Sequence, residues 1–165
     1  MSLSKINSIH NTEHTVLLKQ IPFSESLSLN GLRVLVVDRN DDCLCMITLI
    51  FEDCQAQIKT AISVEQAIQI MEEWKPDILI SEIVLPGKDG YSLIRSIRHK
   101  EAFCGGFIPA IALTYYIDRE YFNTAINAGF QEVICKPFAL NELVETVANL
   151  AQISKSLKVS SVNNG

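Results

Sequence analysis

Apolar positions in this chain follow two patterns that take turns along its length. The first is a nearly continuous run, Leu32-Arg33-Val34-Leu35-Val36-Val37, closing on Asp38. A strand buried on both faces of a parallel sheet has that make-up, because neither face alternates to water. A helical apolar stretch follows from about Cys43 to Phe51, then a short strand over about Gln57 to Ala61. Ser63 with Gln66 forms a capping box, and Val64, Ala67, Ile68 and Met71 mark one face of the helix it starts. Lys75-Pro76 stops that helix. Asp77 to Glu82 is the third strand, and Pro86-Gly87 breaks the loop behind it.

The alternation continues to the end. A third helix is expected over about Gly90 to Lys100, with Leu93, Ile94 and Ile97 inward. Ile108 to Thr114 reads as the fourth strand. The fourth helix spans about Asp118 to Ala128, with Asp118 as N-cap and Gly129 as its stop. Glu132 to Cys135 is the fifth strand. The fifth helix begins near Asn141 and lines up Leu143, Val144, Val147, Leu150 and Ala151. Five strand–helix units predict an α/β domain, a parallel sheet covered by helices on both faces. The ordered domain is placed at 31–153, behind a polar arm or linker at 1–30 and ahead of a mobile tail at 154–165.

Composition narrows the function classes. The 165 residues are 48% hydrophobic and 20% charged, enough for one domain with a real core. A net charge of -5 gives no reason to expect nucleic acid as a direct partner. No apolar run approaches the roughly 18 residues of a membrane span, and the start lacks the order of a secretory signal, so the expected location is the cytoplasm. Five cysteines without paired spacing fit reduced thiols there. Cys43 and Cys45 would leave a helix in divergent directions, which argues against zinc. His10-Asn11-Thr12-Glu13-His14 spells an H-x-x-E-H pattern, but in a polar arm without a third ligand it reads as chance.

Candidate chemistry gathers at the carboxyl ends of the strands, where open α/β sheets hold their ligands. Asp38-Arg39 follows the first strand, Glu82 ends the third, Thr114 ends the fourth and Lys136 follows the fifth. The segments LRVLVVD at 32–38, ISEIVLPGKDG at 80–90, IALT at 111–114 and CKPF at 135–138 stand in this order and at these distances. In that arrangement the chain resembles the receiver domain of two-component response regulators over about residues 31–153. The resemblance implies the flavodoxin-like (βα)5 fold with strand order 2-1-3-4-5.

It also implies a mechanism. In that family acidic residues after strand one and the aspartate ending strand three hold magnesium, and that aspartate accepts a phosphoryl group from a histidine kinase. A hydroxyl ending strand four and a lysine before a proline grip the phosphoryl oxygens. An aromatic on strand five turns inward and remodels the helix 4–strand 5–helix 5 face that partners read. Asp38 matches the first acid, Thr114 the hydroxyl and Lys136-Pro137 the lysine and its proline.

Three positions depart from the pattern. Arg39 stands at the second, metal-ligating acid, Glu82 at the phosphoacceptor and Val133 at the switch aromatic. Asp38 and Glu82 against Arg39 and Lys136 sum to zero without a metal. A guanidinium in the metal's place would repel a divalent ion, by about 4 kcal/mol per unit charge at ~4 Å and effective dielectric ~20. Magnesium also prefers oxygen ligands, and one is missing.

The expectation is therefore a pseudo-receiver that binds proteins, without enzymatic activity and without a cofactor. Its partner is a histidine kinase or an output protein, met through the helix 4–strand 5–helix 5 face, and homodimerisation is compatible with it. Glu82 would partly mimic the phosphorylated state, held by Lys136, by Arg39 or by both. Two arrangements stay open for Arg39: a direct pair with Glu82, or a side chain in water with Glu82 left to Lys136. The rival readings are a working phospho-receiver and a flavodoxin-like binder of a small ligand. Against the latter, Asp38-Arg39-Asn40-Asp41 stands where a glycine-rich phosphate loop would.

Overall fold

The computed structural model describes residues 29–116 and 118–162, over 157–162 as backbone alone. Five strands and five helices alternate: β1 Arg33–Val37, α1 Asp41–Asp53, β2 Gln57–Ala61, α2 Val64–Trp74, β3 Ile78–Glu82, α3 Gly90–Cys104, β4 Ala110–Thr114, α4 Arg119–Ala128, β5 Glu132–Cys135 and α5 Leu140–Val162. All four strand pairings are parallel, in the order β2-β1-β3-β4-β5. This is the flavodoxin-like order that the resemblance implied.

The period of two along a strand sorts its side chains between two cores. Val34, Val36, Ile78, Ile80, Ile111 and Leu113 face α1 and α5, where Ile47, Phe51, Leu143 and Val147 meet them. Leu35, Val37, Leu79, Ala110 and Ala112 face α2, α3 and α4, against Ala67, Leu93, Ile94 and Ala125. Because β1, β3 and β4 are buried on both sides, their sequences carry no polar alternation. Each fully buried aliphatic side chain stabilises the fold by about 1.5–3 kcal/mol. Truncating Ile80 to alanine would cost ~2–5 kcal/mol through the cavity it leaves.

Local chemistry starts and stops the helices. Asn40 Oδ1 accepts from the Cys43 amide at 3.0 Å, Asp89 from Ser92 at 2.8 Å and Asp118 from Tyr121 at 2.9 Å. Ser63 caps α2 as expected. Gln66 completes the turn by reaching the Ile62 amide rather than that of Ser63, so the box is shifted by one residue. Lys75 ends α2 in the left-handed region at φ 45°, an uncommon place for a side-chain-bearing residue.

Two expected boundaries are corrected. α5 continues to Val162, through residues assigned to a mobile tail. Ser154, the first residue of that supposed tail, is buried within it. The proposed arm reaches too far by two residues: Leu29 is buried in the α1 side of the core, and its amide donates to Cys54 O at 3.0 Å. Residues 1–28, including the H-x-x-E-H pattern, lie outside the described residues. No helix among the described residues is long and apolar enough to cross a membrane.

Candidate functional site

The carboxyl edge of the sheet brings Asp38, Glu82, Thr114 and Lys136 to one end of the domain, each on the residue that ends or follows its strand. All four are buried, Asp38 fully and Glu82 to within 2%. Burying a charge is costly unless it finds a partner, and here the partners are each other. Lys136 Nζ donates to Asp38 Oδ2 at 2.5 Å and lies 3.5 Å from Glu82 Oε2. The other Asp38 oxygen accepts from the Asn40 amide at 2.9 Å. Glu82 Oε2 makes no hydrogen bond among the described residues, so it is the under-satisfied atom of the group.

Titration follows from that asymmetry. Burial pushes the Glu82 carboxyl up, and the adjacent Asp38 pushes it further, while Lys136 and Arg39 only partly oppose them. For Asp38, burial also pulls upward, but hydrogen bonding from Glu82, Lys136 and the Asn40 amide overcomes it and holds the group below its usual range. Lys136 ends above the usual lysine range, because the hydrogen bond and charge of Asp38 outweigh its burial. Of the two carboxyls, Asp38 is therefore the one that ionises more readily and Glu82 the one that holds its proton to higher pH.

Arg39 takes the second of its two open arrangements. Its side chain is exposed and makes no ion pair with Glu82, which is left to Lys136. A long cationic side chain next to an open surface keeps its head in water more cheaply than it desolvates it. The metal-site repulsion argued from a guanidinium seated inside the pocket thus loses its geometry, and the buried cation is Lys136.

Thr114 is buried at the end of β4, and its hydroxyl accepts from the Tyr116 amide at 3.1 Å, shaping the turn that follows. Val133, half-buried on β5 opposite Ala112, packs into the core on the α2, α3 and α4 side. It fills space there without offering a polar tip.

Two further residues join the site that the sequence did not point to. Cys43, read as an ordinary buried thiol, sits in the first turn of α1 beside Asp38. Burial first and Asp38 second push its thiol up to about 12, so it is an inert wall. Its spacing from Asp38, across a capped turn, was the available signal. Tyr115, just past the end of β4, lays its ring 5.1 Å from Lys136 Nζ and roofs the cation. Beside it, Tyr116 stacks on Tyr121 of α4 with centroids 4.7 Å apart. Gly90 closes the loop from β3: a Cβ there would lie 2.5 Å from Glu82 O, so only glycine lets α3 start directly over the site.

The family model described as the response regulator receiver domain matches residues 34–148. The chain belongs to this receiver family. Among its relatives, an uncharacterized 14.6 kDa protein of Leptolyngbya boryana is 32% identical over 120 residues, 73% of this chain and 90% of that protein. The two-component response regulator ARR10 of Arabidopsis thaliana is 28% identical over 138 residues, 82% of this chain but 24% of that protein. The receiver therefore spans about a quarter of the second relative's length. A crystal structure of a two-component response regulator from Clostridium difficile superposes with a TM-score of 0.68 at 24% identity, covering 74% of this chain and 97% of that one. At that identity the likeness speaks for the fold.

The metal that receivers are expected to hold fits these residues poorly. The second acid is an exposed arginine, both Asp38 oxygens are engaged and Glu82 is inclined to keep its proton. Among the described residues no group of three metal-ligating side chains comes together.

Proposed function

We propose that this receiver works in two-component signalling as a pseudo-receiver, by binding a protein partner without taking up a phosphoryl group on an aspartate. The observation that carries this reading is the buried Glu82 at the acceptor position, 3.5 Å from the lysine that would otherwise grip a phosphoryl oxygen. That lysine is committed first to Asp38. Glu82 holds a phosphoryl group's place with less charge, since a carboxylate carries at most one negative charge and burial and Asp38 push its titration upward. The scheme includes no magnesium and no catalytic step.

Tyr115 links the pocket to a surface. Its ring covers Lys136 on one side and belongs to an exposed aromatic run on the other, with Tyr116, Tyr121 and Phe122 on or beside α4. A histidine kinase or an output protein reading the α4–β5–α5 face would meet this run.

Incubation with acetyl phosphate and magnesium, followed by intact-mass measurement, tests the reading. The expected spectrum is unchanged. A stoichiometric gain of one phosphoryl group that Glu82→Gln abolishes would overturn it in favour of a working phospho-receiver. A pull-down comparing wild type with Glu82→Ala adds the link to the surface: the variant is expected to bind differently, and identical binding would disconnect the pocket from the partner face.

A further inference from the structure

At the opposite, amino-terminal edge of the sheet, residues of α2, α3 and the segment entering β4 line a cleft of about 580 Å³. That volume lies within the range of sites for small organic ligands, roughly 300–1,000 Å³. Its walls are apolar, built from Ile68 and Met71 of α2, Ile97 of α3, and Ile108 with Phe107 from the segment entering β4. The walls are also fixed in place. Ile97 is buried, Ile68, Met71 and Ile108 pack against the core on that side, and the Arg98 guanidinium lies 4.5 Å from the Phe107 ring.

Charge on the rim is unevenly paired. Arg33 is spent on Asp77 and on Trp74 O, the carbonyl that closes α2, and Arg98 is spent on Glu101, Gly129 O and Ile108 O. Of the three lining carboxylates Asp77 and Glu101 are thus taken, while Lys75 and Lys100, both exposed and outside every ion pair among the described residues, face only Glu72. Lys75 projects from a left-handed residue, φ 45°, a conformation that side-chain-bearing residues adopt at a cost and that recurs at binding sites. An apolar cleft with one surplus positive charge on its lip complements a monoanion with an apolar body. We infer that this cleft binds small amphipathic monocarboxylates, the aliphatic or aromatic body against Ile68, Met71 and Ile97 and the carboxylate at Lys75 and Lys100.

The site lies at the edge remote from Glu82 and stands whether or not the pocket takes a phosphoryl group. The test titrates octanoate, below its micellar concentration, into the ¹⁵N-labelled full chain, with octanol and octylamine as neutral and cationic counterparts. Saturable shifts are expected at Met71, Lys75, Ser96 and Lys100, tighter for octanoate than for either counterpart. Octanoate is also expected to slow maleimide modification of the exposed rim thiol Cys104. Cys45, exposed on α1 across the sheet, is the internal control and should react at an unchanged rate. Lys75→Gln with Lys100→Gln should weaken octanoate by roughly three- to tenfold, as expected for two exposed charge contacts. Absence of saturable shifts, octylamine binding as tightly as octanoate, or unchanged affinity in the double variant would each overturn the assignment.

Discussion

The two edges of the sheet hold similar ionic residues and treat them in opposite ways. At the carboxyl edge Asp38, Glu82 and Lys136 are sealed from water, with side chains 0%, 2% and 5% exposed. At the amino edge Arg33 and Asp77 pair with side chains 38% and 31% exposed. The first set can hold its charges only because Lys136 pairs with Asp38; the second would be charged anyway. Sequence gives both edges the same vocabulary, and burial alone decides which is a constraint on the fold and which is a decoration of its surface.

The largest expected effect comes from removing the buried cation. Lys136→Met leaves Asp38 and Glu82 facing each other in a desolvated pocket. Breaking a buried pair from one side costs ~3–5 kcal/mol, and urea denaturation should show a midpoint shift of that size. A loss under ~1 kcal/mol would mean that water reaches the pocket and that the two edges do not differ.

Next in size is steric. Gly90→Ala places a Cβ 2.5 Å from Glu82 O and 2.9 Å from Ile83 Cα, both backbone atoms that cannot swing aside. A destabilisation of ~1–3 kcal/mol is expected by the same denaturation assay. Amide shifts should concentrate at Glu82 and Ile83, because the strain enters the pocket through the backbone of its acceptor residue.

The strand–helix succession and four carboxyl-edge residues could be read directly, because continuous apolar runs and chain breaks report burial on a local scale. What escaped was set by distant neighbours. The direction of Arg39 depends on whether water or Glu82 competes better for a flexible side chain, and residue order does not encode that. Leu29 looked like linker because its apolar partners lie at the end of α1. The continuation of α5 past Ala151 was cut off at Ser154, a polar residue that the fold buries. The cleft at the amino edge joins residues of α2, α3 and the β4 approach, so no single window of sequence contains it.

A third, smaller effect is read in pH. The Glu82 carboxyl is raised in the folded protein, so the native state binds its proton more tightly than the unfolded chain does. Its contribution to stability is complete below the ordinary glutamate value of 4.5 and is lost as pH rises through the folded value. Asp38, held low, acts in the other direction: its contribution is present above 3.8 and is lost as pH falls further. Glu82→Gln keeps the neutral shape of the protonated acid. It should flatten the fall above 4.5 and leave the acid limb of Asp38 intact. A wild-type curve that rises over the upper window would place the negative charge on Glu82 instead.

The smallest effect is the one that most directly sharpens the comparison. Asp77→Asn removes the carboxylate from Arg33 but keeps an oxygen able to accept from the Arg33 amide, now bonded at 3.0 Å. With both side chains about a third exposed, screening by water and salt leaves such a pair worth ~1 kcal/mol or less. The loss should shrink further between low and high salt, and a double-mutant cycle with Arg33→Gln isolates the pair from the separate bond to Trp74 O. A coupling energy of ~3 kcal/mol, insensitive to salt, would equal that expected for Lys136 and Asp38. Solvent access would then not be what separates the two edges, and the buried carboxylates would need a different explanation.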